Sequence, residues 1–259
     1  MNGVTLSGAD GATTANVGAS ETRESADSRL ARRRTARATG LWYLALAITG
    51  GIGFLLIRPR IYVDGDPAAT LANLVERGGL ARAGLVLELG LVVTQALAAV
   101  WFYKLFRSAN STAAWALAVF GMVNAVAVMA SAGFMATALT VSTDIALAPG
   151  GDAAATVQLM YQLSSNSWGV GSLFFGLWLI PMGYIATGSG LMPKWLGRIL
   201  VVGGVGYVLS AFVNYGFADA PTWLRDALPL PATLGEFWMI FYLLTKGVRS
   251  SEQPILGNQ

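Results

Sequence analysis

Two glutamates, Glu88 and Glu236, lie inside long apolar runs of this chain and are accompanied there by carboxamides rather than by other charges. An ionisable side chain at membrane depth costs roughly 2.5–3.5 kcal/mol on insertion scales, so each calls for a partner or a purpose. Gln95 follows Glu88 by seven residues and shares its helical face one layer deeper. Gln158, Gln162 and Asn166 recur at a spacing of four and form one stripe on a helix. Asn124 falls near the middle of a third run and Asn214 near the end of a fifth. These groups gather in one half of the membrane. They predict a polar cavity open toward the outer side, floored near Asn124 and Gln95, with Glu88 and Glu236 in its wall. Arg82 would stand at the rim as a counter-ion. Such carboxylates suit proton exchange, cation binding or acid catalysis.

The same residues also have plainer readings. Glu236 could stabilise the positive end of its own helix, a benefit of about 0.3–1 kcal/mol. Glu88 could pair with Arg82 or bond to a neighbouring helix. Six residues separate Arg82 from Glu88, which turns the side chains about 120° apart and disfavours a bond within one helix. The glutamine stripe could be interhelical glue, at about 0.6 kcal/mol per contact.

The rest of the composition narrows the chemistry sharply. Among 259 residues there is no cysteine and no histidine, which removes structural zinc, iron–sulfur clusters, thiol nucleophiles, His-based triads and axial-His haem. No metal site and no cofactor are expected. Only 12% of residues are charged and 54% are apolar, against about 25% charged in a soluble domain; mean hydropathy is +0.56. No lysine lies at mid-membrane, so a retinal Schiff base is excluded. The Gly203-Gly204-Val205-Gly206 cluster lacks the spacing and strand context of a phosphate loop, and close helix packing explains it.

Positioning these groups requires membrane helices, because every backbone amide in lipid must be satisfied within its own segment. About 20 apolar residues cross the ~30 Å hydrocarbon layer. Six segments qualify: 39–57, 83–103, 113–140, 166–187, 196–217 and 232–245. The fold class is therefore all-α, a polytopic bundle of six transmembrane helices over residues 39–249. Residues 1–38 are polar and read as a disordered cytoplasmic tail without a signal-peptide core; residues 250–259 form a second tail. Of 17 basic residues, twelve fall on the side of the termini and five on the other, which predicts both termini to be cytoplasmic. The net charge of +3 is thus topogenic and not a nucleic-acid footprint. Arg32, Arg33, Arg34 and Arg37 belong to that signal and could also hold anionic lipid.

Between the first two spans, Asp66-Pro67 supplies an N-cap and a first-turn proline, and Leu71, Leu74 and Val75 recur at helical spacing. This predicts a short amphipathic helix on the outer surface over about 67–77. Trp42, Tyr43, Trp101, Trp195 and Trp223 fall near span ends, as interfacial anchors do.

Several motifs are familiar together. Arg37-x-x-Gly40-x-x-Tyr43-Leu44 opens the first span, and Gly65-Asp66-x-x-Ala69-Thr70-x-x-Asn73 follows in the loop. Phe175-Gly176, Gly183-Tyr184, Ser189-Gly190, Pro193-x-x-Leu196-Gly197 and Gly206-Tyr207 come next, and Gly235-Glu236 and Lys246-Gly247 close the last helix. Over residues 35–249 the chain resembles the bacterial membrane family catalogued as domain of unknown function 4386. The resemblance implies a six-helix protein of the bacterial inner membrane and brings no reaction, ligand or catalytic residue. Relatives often place a histidine near the fourth span, where this chain has Trp178.

Three functions fit these features. The first is binding or movement of a small amphipathic or lipid-like molecule in an outward-facing polar pocket. The second is an intramembrane acid/base enzyme of the isomerase or cyclase type, with Glu88 and Glu236 as acid and base. The third is a structural or assembly protein with no ligand. The expected partners are the lipid bilayer and an amphipathic ligand, not nucleic acid, and the oligomeric state is left open.

Overall fold

The computed structural model describes residues 9–217 and 219–249, with side chains from Asp27 onward. Helix α1 (Ala9–Gly50) continues through a π-helical stretch, Gly51–Ile57, into the one-turn α2 (Arg58–Ile61). Next come α3 (Pro67–Glu76), α4 (Gly78–Phe106), α5 (Ser111–Thr143), α6 (Ala153–Gly188) and α7 (Lys194–Gly216). The short α8 (Thr222–Ala227) leads into α9 (Leu230–Thr245). Six helical stretches are long and apolar enough to cross a membrane, and they contain the six predicted spans to within a residue. The protein is an all-helical, multi-pass membrane protein.

The spans pack in chain order: α1 on α4, α4 on α5, α5 on α6, α6 on α7, α7 on α9, and α9 back on α1. The result is a closed ring of six. Glycines set its tightest seams. A Cβ on Gly176 or Gly183 would run into the backbone of α7, and one on Gly203 would strike Ala232 of α9. The glycine cluster therefore serves close packing, as its composition predicted. At the arginine-rich end the centre is filled by aromatic rings. Tyr43, Phe102 and Trp178 meet edge to face with centroids 5.2–5.7 Å apart, and Gly121 leaves room for the indole.

The predicted loop helix is α3. The Asp66 side chain accepts a 2.9 Å bond from the Ala69 amide, and Pro67 occupies the first turn. Its Thr70 and Leu74 are buried, and Thr70 Oγ1 donates to Gln158 Oε1 at 3.1 Å, so α3 is pinned to α6.

The disordered tail expected over 1–38 is a point of difference. The first helix extends back to Ala9, and Ala36 and Thr39 are fully buried. The Thr39 hydroxyl bonds to the Trp101 carbonyl at 3.3 Å. Alanine- and arginine-rich sequence has high helix propensity, and small residues at 36 and 39 let this turn pack where a larger face could not. Residues 1–8 and the second tail, 250–259, lie outside the described residues.

The π-helical stretch has a local cause. Pro59 lacks an amide hydrogen, and its ring crowds the carbonyl four residues earlier. Gly50, Gly51 and Gly53 offer little resistance to widening the preceding turns, and a π turn relieves that clash. The consequence is that Arg58 turns inward instead of toward solvent.

Candidate functional site

Arg58 is only 7% exposed, although its place at the end of the first span reads as a loop residue. Its guanidinium donates from Nη2 to Ser164 Oγ and Ser165 Oγ, both at 3.0 Å, and lies 5.2–5.9 Å from the ring centroids of Phe54, Tyr62 and Tyr161. Ser164 shares a 2.6 Å hydrogen bond with Ser131. Ser131 in turn donates to Glu88 Oε1 at 2.6 Å, which also receives the Trp168 indole N–H at 2.8 Å. Glu88 and Arg58 are thus joined through two serines from α5 and α6. The space left around them is about 10 Å³, at most one water molecule.

A second compartment shares Trp168 with the first. It is a cavity of about 280 Å³ with Glu236, Gln95 and Asn124 in its wall, bounded by Tyr43, Phe175 and Tyr207. The Tyr43 hydroxyl donates to Glu236 Oε1 at 2.5 Å. Gln95 is fully buried, and among the described residues neither atom of its amide has a hydrogen-bond partner. At the arginine-rich end Gly40 of α1 sits against Leu243 and Leu244 of α9. Gly51 and Leu55 of the π-helical stretch and Thr233 and Phe237 of α9 line the cavity. Leu55 and Phe237 are 68% and 62% exposed, so the mouth opens sideways toward lipid.

The predicted pocket is therefore divided. Glu236, Gln95 and Asn124 line one space and Glu88 the other, with Gly50, Phe54, Leu91 and Trp168 common to both walls. Arg82 is exposed and takes no part; its angular offset from Glu88 stands, and Arg58 supplies the cation instead. The acid/base pair required by the enzyme reading is not assembled in one space.

The carboxamide stripe is also elsewhere. At 1.5 Å per residue the 36 residues of α6 reach about 54 Å, and the stripe lies in its N-terminal half. There Gln158 serves α3, Gln162 and Asn166 are exposed, and the Asn166 carbonyl accepts a 3.4 Å bond from Tyr215. Asn214 is exposed and holds Arg225 at 3.3 Å. Among the expected interfacial anchors, Trp195 and Trp223 are exposed at 66% and 67%, whereas Tyr43 is 2% exposed because its hydroxyl has a carboxylate to meet inside the ring.

Sequence reasoning missed Arg58, Ser131, Ser164 and Trp168, since arginines were assigned to loops and hydroxyls carry no periodic signal. Tyr43, Phe175 and Tyr207 had a signal available, because each belongs to the motifs that carried the family resemblance.

The model for a family described as Domain of unknown function (DUF4386) matches residues 38–247. The chain belongs to that family. This DUF4386 member is also similar to an uncharacterized protein of Archaeoglobus fulgidus, 31% identical over 84 residues. That match covers 32% of this chain and 48% of the relative, so the chain spans about half the length of the curated relative it matches. No solved structure matches the DUF4386 chain.

Proposed function

We propose that this protein binds a small amphipathic or lipid-like molecule within the membrane, in the cavity between α1 and α9. The polar end of that molecule sits near Glu236, Gln95 and Asn124, and its apolar part leaves through the lateral mouth past Leu55 and Phe237. The cavity carries the reading: a space of about 280 Å³ with Glu236 and Asn124 among its lining residues is one that a small ligand fits. Small cavities within membrane bundles and polar groups at membrane depth are where substrates of membrane proteins sit. In this reading the protein resides in the bacterial inner membrane with both termini in the cytoplasm and the cavity biased to the outer leaflet.

The test is extraction and mass measurement. Protein released from membranes into a neutral detergent is expected to retain a bound amphiphile, seen as a discrete mass adduct. Ala47→Phe, which places a ring at the cavity wall, is expected to abolish the adduct while leaving the melting temperature within a few degrees. An adduct retained in full by Ala47→Phe, or absent from the native protein, overturns the reading.

A further inference from the structure

We propose that the ligand's polar end is a cation, specifically the protonated amine of an amphipathic organic molecule; this rests on the cavity being a binding site. Glu236 is the single ionisable acid in the wall, and no lysine or arginine lines the space. Tyr43 donates to Oε1 only, which leaves Oε2 without a protein partner among the described residues. Asn124 adds a carboxamide to the wall, so the free carboxylate oxygen and a neutral acceptor stand ready for the hydrogens of an ammonium.

The remaining surface suits the same group. Trp168, Phe175 and Tyr207 bound the polar region, with Phe54 and Phe237 toward the mouth, and ring faces attract cations. This chain already shows how it treats a cation at membrane depth. Arg58 is held by hydroxyl oxygens on one side and by Phe54, Tyr62 and Tyr161 on the other, and it answers the charge of Glu88 through two serines. The cavity repeats that combination of acid, neutral acceptors and rings. What differs is the source of the positive charge, which here has to come from the ligand. An anionic head would meet the Glu236 carboxyl group with no basic residue in the wall to offset it.

The experiment uses the full chain in phosphatidylcholine nanodiscs at pH 7, with empty nanodiscs as the blank. Three probes share one scaffold: 4-phenylbutylamine as its ammonium, neutral 4-phenylbutanol and anionic 4-phenylbutyrate. Isothermal titration is expected to give at least tenfold tighter binding of the amine than of the alcohol, with no measurable binding of the carboxylate. Glu236→Gln keeps an acceptor for Tyr43 and is expected to bring the amine to the level of the alcohol. The wild-type comparison decides the charge class even if that variant does not fold. Alcohol or carboxylate binding as tightly as amine, with all binding lost in Ala47→Phe, overturns the cation while the cavity reading stands. Failure of all three probes to bind, together with an adduct unaffected by Ala47→Phe, overturns both.

Discussion

The two acids at membrane depth received opposite treatment from the same ring of helices. Around Glu88 the chain supplies everything the charge needs: an indole N–H, a serine hydroxyl and, two hydroxyls away, the guanidinium of Arg58. What space remains is about 10 Å³. Around Glu236 it supplies one phenol and a cavity of about 280 Å³. A buried charge with its partners built in ties elements together, here α1 through α2, α4, α5 and α6. A charge given one hydrogen bond beside a cavity is a receptor for something else. Residue type did not separate the two; the cation did.

The largest effect expected from breaking this contrast is at Arg58. Removing one partner of a buried charge network leaves the other uncompensated, at a cost of about 3–5 kcal/mol. Arg58→Met should therefore lower resistance to unfolding in dodecyl sulfate by that amount. Arg58→Met with Glu88→Met should restore most of it, since neither charge is then stranded. A single substitution as mild as the double would show that the two residues are not one unit. Trp168 comes next, because its ring lines both compartments and its N–H serves Glu88. Hydrogen bonds to charged groups contribute about 1.5–3 kcal/mol, so Trp168→Phe should cost about 2 kcal/mol in the same titration. It should also join the small void to the large one, and a gain in the size of amphiphile retained on purification would register that merger.

The ring of spans was legible from the chain because lipid imposes a single rule, long apolar helices, and composition alone reports it. The capped loop helix was legible for a comparable reason, as Asp66 and Pro67 act on their own backbone. The site was legible by half. Glu236, Gln95 and Asn124 were found as polar groups where polarity is costly, and that argument needs no knowledge of neighbours. The division between compartments was not, because it depends on a π turn before Pro59 that redirects Arg58, and on an indole from another helix. Nothing local encodes either contact. The stripe on α6 had a legible spacing but no legible partner: Gln158 meets α3, while Gln162 and Asn166 are exposed.

The smallest effect is the most discriminating, because its sign is unusual. A buried polar residue replaced by an apolar one of similar shape ordinarily loses hydrogen bonds and stability. Gln95 has none to lose among the described residues and is fully enclosed, so Gln95→Leu removes a desolvation penalty without removing a contact. In protein stripped of bound amphiphile the variant is expected to be more stable than the native chain by about 1 kcal/mol, the low end of the cost of an unmet buried amide. With amphiphile retained the gain should persist, because the enclosed amide offers the cavity no surface at which a ligand could meet it. The same comparison at Ser131, whose hydroxyl is engaged on both sides, should show loss of stability in either state. Unfolding titrations of Gln95→Leu and Ser131→Ala, each before and after exhaustive delipidation, measure this directly. A Gln95→Leu variant destabilised in both states would mean that the amide already serves the fold, and the distinction between the two compartments would reduce to their volumes.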